Sequence, residues 1–209
     1  MRRRAIHAAV VAAALLPLVS LGVRALRDDL GADPIKTVTH ATGLWTLRLL
    51  LATLAVTPLR RIGGLSALAP YRRTLGLLAF TYCSLHLLTY GVLDLWGEWG
   101  TLLEDIAKRP YITVGFTGFL CMLPLAVTST RAWMKRLGKR WVQLHRLAYV
   151  AGVCGCVHFI WLVKKDVREP LIYSAIFAAL LAARVFLRFR PGAAAATKAR
   201  KRSSLSASS

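Results

Sequence analysis

Residues 141–161 read WVQLHRLAYVAGVCGCVHFIW, a largely apolar run with a histidine near each end. The run is long enough to cross a bilayer as a helix. His145 and His158 are 13 positions apart, which is roughly 20 Å along a helix and places one near each side of the hydrocarbon core. Ionisable side chains inside a membrane span are costly and are functional candidates by default. The stretch therefore predicts a membrane helix with polar centres at two depths.

Imidazole is a common axial ligand of haem iron, so two imidazoles at two depths suggest a path for electrons across the membrane. On an ideal helix, 13 steps leave the two side chains roughly 140° apart. Either the helix is distorted, for which Gly152 and Gly155 leave room, or the two histidines face different neighbours. The alternative interpretation is that each histidine only hydrogen-bonds to an adjacent helix.

Composition places the chain among membrane proteins. Of its 209 residues 56% are hydrophobic, and the mean hydropathy is +0.51, which is too apolar for an ordinary soluble domain. The net charge of +20 is carried by short blocks between apolar runs, as in membrane proteins that keep basic residues in the cytoplasm, so nucleic-acid binding is not favoured. No CxxCH or CxxC motif is present, which excludes the usual handle for covalent haem attachment.

The chain contains six apolar segments, each near the length that a spanning helix needs. They cover approximately residues 5–26, 38–58, 74–93, 111–128, 141–163 and 171–187. The predicted fold class is all-α, a polytopic bundle of six transmembrane helices. Residues 1–190 form the predicted membrane domain, and residues 191–209 form a basic tail that is predicted to be disordered.

The connectors between these segments alternate in charge. Basic residues flank one end of the segments: Arg2, Arg3, Arg4, Arg60, Arg61, Arg72, Arg73, Arg131, Lys135, Arg136, Lys139, Arg140, Arg188 and Arg190. Acidic residues flank the other end: Asp28, Asp29, Asp33, Asp94, Glu98, Glu104, Asp105, Asp166 and Glu169. The positive-inside rule then predicts that both termini are cytoplasmic. No connector is large enough for a soluble catalytic domain, so any chemistry belongs to the membrane bundle.

A third intramembrane histidine, His86, lies in the third segment. Counted from the acidic ends of their segments, His86 and His158 are at similar depth, so they are candidates to bind one haem iron from opposite sides. His145 lies at the inner level, where the matching position of the third segment is Arg73, with Arg72 beside it. Arginine is not an expected iron ligand but suits haem propionates. The inner level therefore has one visible ligand.

Three further residues are weaker candidates. His40 is at the outer mouth of the second segment and Arg48 lies about two turns deeper, so the pair could contact a quinone or a propionate. The alternative is an interfacial histidine and a snorkelling arginine. His7 is near the inner end of the first segment. It is either the missing inner ligand or an interfacial residue without a special role.

Several motifs together carry a family resemblance over residues 31–173. They are GADPIKTVTHATG at 31–43, LATLAVTPLR at 51–60, YRRTLGLLAFTYCSLHLLTY at 71–90, KRPYITVGF at 108–116, LAVTSTRAWMKRLGKRWVQLHRLAYV at 125–150 and HFIWLVK at 158–164. The sequence resembles the haem-binding membrane subunits of bacterial protein-methionine-sulfoxide reductase systems. That family belongs to the ferric-reductase-like transmembrane group.

The resemblance implies an electron-transfer subunit of the bacterial inner membrane, with one or two b-type haems and FMN. In the family, electrons come from the quinone pool and pass to a periplasmic molybdopterin-dependent reductase that repairs methionine sulfoxide. A cytosolic flavin reductase is a further possible donor. The family's haem histidines carry over to His86, His145 and His158. The chain departs from the wider group, which usually has two histidines on each of two helices, because the third segment lacks the inner one.

Two other functions stay open at this stage. One is a stand-alone ferric or quinone reductase of the same architecture, without a dedicated periplasmic partner. The other is a non-redox transporter or structural membrane protein whose histidines only form hydrogen bonds. No flavin or nicotinamide domain follows the sixth segment, so a self-contained NADPH oxidase is not favoured. The chain is expected to be an electron carrier rather than a catalytic subunit.

Overall fold

The computed structural model describes residues 2–163 and 166–189. Within these ranges it has nine α-helices: α1 (Arg2–Leu26), α2 (Pro34–Ile62), α3 (Arg72–Leu88), α4 (Trp99–Lys108), α5 (Pro110–Val127), α6 (Arg131–Leu137), α7 (Lys139–Leu144), α8 (Leu147–Leu162) and α9 (Arg168–Phe189). A 3₁₀ turn, Ser66–Tyr71, precedes α3, and a π-helical turn, Thr89–Asp94, extends it. No strand occurs in the described ranges, which confirms the all-α class.

The described residues contain six helical stretches that are long and apolar enough to cross a membrane. They are Arg4–Leu26, Pro34–Ile62, Ser66–Asp94, Pro110–Val127, Lys139–Leu162 and Arg168–Leu187. Each overlaps one of the six predicted segments, so the number and order of the spans are confirmed. The basic tail predicted for residues 191–209 lies outside the described residues.

Helix α2 is the most buried of the spans and packs against α3, α8 and α9. Helix α5 packs most extensively against α8. Helix α1 lies at the edge of the bundle, where it exposes Leu16 and Val19. One of its contacts is a hydrogen bond from the Tyr82 hydroxyl to the Ala14 carbonyl oxygen, 2.6 Å long. Because lipid is as apolar as the helix surfaces, such packing and hydrogen bonds hold the bundle together.

The buried residues form two clusters around α2. One contains Leu49, Leu50, Ala79, Tyr82, Met122 and Ala151, and the other contains Leu47, Leu51, Leu54, Cys156, Phe159 and Phe177. Small residues let the helices approach closely at these places. At Gly152, for example, a Cβ atom would overlap the ring of Phe177. The two clusters fix α2, α3, α8 and α9 around the region where the candidate histidines lie.

The fifth span differs from the continuous helix that its sequence predicts. Helix α7 ends at Leu144 and α8 begins at Leu147, with a tight turn at His145 and Arg146. Here the Arg146 and Tyr149 N–H groups donate to carbonyls three residues back, as in a 3₁₀-helix. The distortion anticipated near Gly152 and Gly155 therefore occurs instead at His145.

The acidic connector between the third and fourth spans is also more ordered than the hydropathy pattern predicts. It contains the amphipathic helix α4, which packs against α5 and buries Leu102 and Asp105 while Leu103 stays exposed. Asp105 is held there by the Tyr90 hydroxyl and by an ion pair with Arg109 of 2.9 Å. Helix α4 thereby covers one end of the space between α3 and α5.

Candidate functional site

The structure brings His86 of α3 and His158 of α8 together inside the bundle. Their ring centroids are 6.1 Å apart, and the ring planes are nearly perpendicular, at 82°. A metal–imidazole bond is about 2 Å long and the ring centre lies about 1 Å behind the nitrogen, so two imidazoles on opposite sides of one metal ion have centres about 6 Å apart. The spacing of His86 and His158 therefore suits two axial ligands of one iron.

Both rings are held by hydrogen bonds to backbone carbonyl groups of a neighbouring helix. His86 Nδ1 is 2.8 Å from the Thr39 oxygen, and His158 Nδ1 is 2.7 Å from the Tyr111 oxygen. A carbonyl oxygen only accepts, so each Nδ1 carries the proton and donates it. In a neutral imidazole the other nitrogen, Nε2, then keeps its lone pair. This arrangement orients a histidine for metal binding and raises its basicity.

A glycine stands behind each ring. A Cβ atom at Gly43 would lie 2.9 Å from His86 Cε1, and one at Gly115 would lie 2.7 Å from His158 Nδ1. Distances under about 3 Å are shorter than van der Waals contact between such atoms, so a side chain at either position would displace the ring. Helices α2 and α5 can therefore bring a carbonyl to each histidine only because these positions are glycine.

The two halves of the site are built in the same way. In each half the histidine bonds to a carbonyl 47 residues earlier in the chain. The glycine follows that carbonyl by four residues, as Thr39 precedes Gly43 and Tyr111 precedes Gly115. The helix pairs α2–α3 and α5–α8, which pack more extensively than any others in the described chain, thus contribute equivalent elements to one site. Sequence reasoning missed this repeat, although its spacing is visible in the chain.

A cavity of about 580 Å³ adjoins both histidines. Its wall is mostly apolar and includes Leu47, Leu50, Phe116, Phe119, Met122 and Phe159. Among the described residues, no group of three or more His, Cys, Asp or Glu side chains is arranged to hold a bare metal ion. Two imidazoles nevertheless suffice for haem iron, because the porphyrin supplies the other four ligands. The histidine pair and the apolar cavity together fit a haem.

Polar groups in this cavity are found mainly towards its acidic end. Lys36 and Arg109 line it there, together with Asp33 and Asp94. His40 also lines the cavity, and its ring meets that of Phe159 edge-on at 5.9 Å. Sequence reasoning selected His40 but missed Lys36 and Arg109. Nothing in their local sequence distinguishes them from ordinary interfacial cations, and only the folding of α2 and α5 around the cavity brings them to it.

Arg48 lies on a different face of α2 from His40. Its Nε donates to the Tyr173 hydroxyl at 2.7 Å, and its Nη2 is 3.9 Å from a carboxylate oxygen of Glu169. The guanidinium also lies 5.1 Å from the Trp45 ring centroid. Arg48 does not line the cavity that the two histidines share, whereas His40 does.

His145 lies at the break between α7 and α8. Its ring stacks on Trp141 at 3.8 Å, and its Nδ1 is 3.1 Å from the Trp141 carbonyl oxygen. Arg72 lies within electrostatic range of His145, as its predicted depth requires. Neither residue lines the cavity of the histidine pair. The inner level is therefore separate from the outer site.

Arg73 has different surroundings from those of His145 and Arg72. It is exposed and lines a groove of about 450 Å³ together with His7 and Thr74. His7 Nε2 is 3.4 Å from the Thr74 hydroxyl, and its ring lies against that of Tyr71. Side chains of consecutive residues point about 100° apart around the helix axis. Arg72 and Arg73 therefore reach different surroundings. His145 does not line this groove, so the structure does not bring Arg73 and His145 together, and their matching depth stays a prediction.

Comparison with known proteins identifies the family. Residues 41–156 match the family model described as ferric reductase like transmembrane component. The protein-methionine-sulfoxide reductase heme-binding subunit MsrQ of Xanthomonas campestris pv. campestris (strain 8004) is 51% identical over 192 residues, which cover 89% of this chain and 86% of that protein. The MsrQ of Rhodospirillum rubrum is 51% identical over 178 residues, 85% of this chain and 86% of that protein. The chain belongs to the MsrQ family.

Membership of the MsrQ family covers most of the bundle described above. The MsrQ of Xanthomonas oryzae pv. oryzae (strain MAFF 311018) is 48% identical over 198 residues, 92% of this chain and 89% of that protein. The ferric-reductase-like match includes His86 and His145 and ends two residues before His158. No solved structure matches the chain. The MsrQ family thus confirms a multi-pass membrane protein of the ferric-reductase-like group.

Proposed function

We propose that the chain is the haem-binding, electron-transferring subunit of a methionine sulfoxide reductase, in which His86 and His158 would together hold the iron of one haem. The observation that carries this proposal is the 6.1 Å separation of the two rings across an apolar cavity. The names of the MsrQ relatives support it independently. Each Nδ1 is bonded to a backbone carbonyl oxygen, which leaves Nε2 of both histidines available for ligation.

The chain's own residues would hold and insulate the cofactor. Haem supplies one-electron redox chemistry. His86 and His158 would present Nε2 to the iron, while the carbonyls of Thr39 and Tyr111 keep both rings in the correct tautomer. The haem would be of the b type, bound without a covalent link, since no CxxCH motif exists. Lys36 and Arg109 are suitably charged to meet the propionates at the acidic end.

The inner level would carry electrons to this haem. His145 is the candidate ligand of a second haem, and Arg72 lies near it. The family resemblance supports the quinone pool as electron source, FMN as a further cofactor and a periplasmic molybdopterin-dependent reductase as acceptor. A cytosolic flavin reductase is the alternative donor. The charge asymmetry of the connectors supports insertion in the bacterial inner membrane with both termini in the cytoplasm.

The proposed organisation is simple. Residues 1–190 form the haem-binding membrane domain and residues 191–209 a basic cytoplasmic tail that meets anionic lipid. The described connectors hold only short helices, of which α4 is the longest with 10 residues. In this organisation the partner subunit would reduce methionine sulfoxide, and this chain would supply electrons.

The visible spectrum of the purified protein before and after dithionite tests the proposal. Sharp bands of reduced b-type haem are expected. His86→Ala and His158→Ala should each abolish the same component, and the double variant should resemble either single one, because ligands of one iron act as a unit. His7→Ala is the matched control and should keep that component. A colourless wild-type protein, or different components lost in the two single variants, would contradict the proposal.

A further inference from the structure

Three arginines gather at the basic end of the bundle, away from the histidine pair. They are Arg60 near the end of α2, Arg72 at the start of α3 and Arg184 near the end of α9. Arg72 is partly buried and lies within electrostatic range of both Arg60 and Arg184. We call these residues the arginine cluster. Like charges brought together in this way repel one another unless an anion lies between them.

The chain offers the arginine cluster no carboxylate side chain. All nine Asp and Glu residues lie in or beside the connectors at the opposite end of the spans: Asp28, Asp29, Asp33, Asp94, Glu98, Glu104, Asp105, Asp166 and Glu169. The ion pairs found in the described residues join these acids to Arg24, Arg48, Lys108 and Arg109. None of these ion pairs includes Arg60, Arg72 or Arg184, so no carboxylate side chain of the described residues balances the charge of the cluster.

The Arg184 side chain is held by two hydrogen bonds, but one of its N–H groups has no hydrogen-bond partner among the described residues. Its Nη1 donates to the Tyr149 hydroxyl and its Nη2 to the Leu54 carbonyl oxygen, both at 2.5 Å. Its Nε is buried and has no hydrogen-bond partner among the described residues. Buried donors are almost always paired, so an unpaired one is available to a ligand that carries an acceptor. The bonds to Tyr149 and Leu54 fix the guanidinium in advance of binding.

We propose that Arg60, Arg72 and Arg184 bind the phosphate group of a phosphate ester at the basic end of the bundle. Phosphate has several oxygens and can accept from guanidinium groups that approach from different helices, whereas a single carboxylate has only two oxygens. The cluster lies where α2 and α9 end and α3 begins, which is the level of lipid headgroups. Basic pockets between helices at this level bind anionic lipid. This chemistry favours phosphate over the haem propionates predicted for Arg72.

Two phosphate esters fit this description, an anionic phospholipid and FMN. The test uses the full chain in nanodiscs of phosphatidylcholine with or without phosphatidylglycerol. Phosphatidylglycerol that stays bound after detergent washing is counted by mass spectrometry, and FMN binding is titrated by fluorescence in phosphatidylcholine alone. Arg184→Gln and Arg72→Gln should weaken one of these two ligands by roughly tenfold or more, the loss expected for one charge-assisted hydrogen bond.

Arg61→Gln is the matched control, because Arg61 follows Arg60 on α2 but reaches the Leu187 carbonyl oxygen instead, at 3.5 Å. It should leave both ligands unchanged. Arg184 also joins two other helices, so Arg60→Gln repeats the test without removing those hydrogen bonds. Loss of phosphatidylglycerol identifies the lipid as the source, and loss of FMN identifies the flavin.

Two results would overturn the phosphate site. One is unchanged retention of both phosphate esters in all three cluster variants. The other is loss of a haem component with both esters still bound, which would assign the arginines to haem carboxylates. The reduced spectrum of the histidine pair is recorded in every sample. Because the cluster does not line that cavity, failure of the phosphate site is distinguishable from failure of the proposed haem site.

Discussion

At the scale of single residues, the site depends on how each histidine meets a helix backbone. In an α-helix the carbonyl oxygen of a residue normally accepts a hydrogen bond from the N–H group four residues later. The side chain of that later residue shields the oxygen from other donors. At Thr39 and Tyr111 the residue four positions later is Gly43 or Gly115. The missing Cβ opens the carbonyl to a second donor, and the imidazole Nδ1 takes that place. The same backbone device therefore sets both rings.

The glycine behind His158 gives a direct test at this scale. Gly115→Ala should displace the ring, because the new Cβ would lie 2.7 Å from Nδ1. Overpacking of this kind costs roughly 1–3 kcal/mol, and the haem content per protein should fall. The pyridine haemochrome assay on purified protein measures it. Gly22→Ala in α1 is the matched control, since nothing lies within 4 Å of its added Cβ. Equal haem in both variants would contradict the packing argument.

At the scale of elements, the division of the fifth span determines what His145 can do. The turn at His145 and Arg146 changes the rotation between His145 and His158 from the value for an ideal helix. His158 can therefore face α3 and α5 while His145 stacks on Trp141. The π-helical turn Thr89–Asp94 plays a similar part after His86, where it brings Tyr90 to Asp105 of α4. Both irregular turns adjoin candidate functional residues.

This division predicts separate outcomes for the two levels. His145→Ala should remove a spectral component other than that of the histidine pair, or slow reduction from the inner side, while the outer haem stays bound. The reason is that His145 does not line the outer cavity. Reduced-minus-oxidised spectra and haem content per protein are the measurements. Loss of the outer component in His145→Ala would show that the two levels are not independent.

At the scale of the whole molecule, the bundle separates charge along its axis. The acidic end carries α4 and the charged residues Lys36 and Arg109 that line the cavity of the histidine pair, and the basic end carries the arginine cluster. Between them, α2 and α5 each face a helix that bears one histidine of the pair. Electrons that enter at the basic end and leave at the acidic end would therefore cross most of the membrane within this chain.

The charge separation predicts the orientation in the membrane. A reporter that is active only in the periplasm should be inactive when fused after Ser209 and active when inserted near Glu98. The basis is the retention of Lys- and Arg-rich connectors in the cytoplasm. Activities of both fusions are compared at equal expression. The reverse pattern would place the basic end in the periplasm and the acidic end in the cytoplasm. His145 would then lie at the outer level, and His86 and His158 at the inner level.

The proposed partner reductase gives the last prediction. Membranes that contain the reduced protein should reoxidise its haem when methionine sulfoxide and the partner reductase are added together. Methionine sulfoxide alone should have little effect, because the proposed function assigns its reduction to the partner. Stopped-flow absorbance at the reduced haem bands follows the reaction. No acceleration by the partner would favour a stand-alone ferric or quinone reductase.

The sequence by itself determined the class and the arrangement of the spans. Six apolar runs and alternating connector charges are local properties, set by the cost of placing polar groups in hydrocarbon, so they can be read without knowledge of packing. The depth of a residue in the membrane likewise follows from its position along its own span. For this reason His86 and His158 could be placed at one level, and His145 at another, from their positions in the chain alone.

Only the tertiary structure decided which side chains meet. Direction around a helix changes by about 100° per residue, so Arg72 lies within electrostatic range of His145 while Arg73, adjacent in sequence, lines the groove of His7. Arg48 turns towards Tyr173 instead of the cavity. The glycine-backed carbonyls depend on contacts between residues 47 positions apart. Such contacts arise from packing of several helices at once, and no local pattern of hydropathy or charge encodes them.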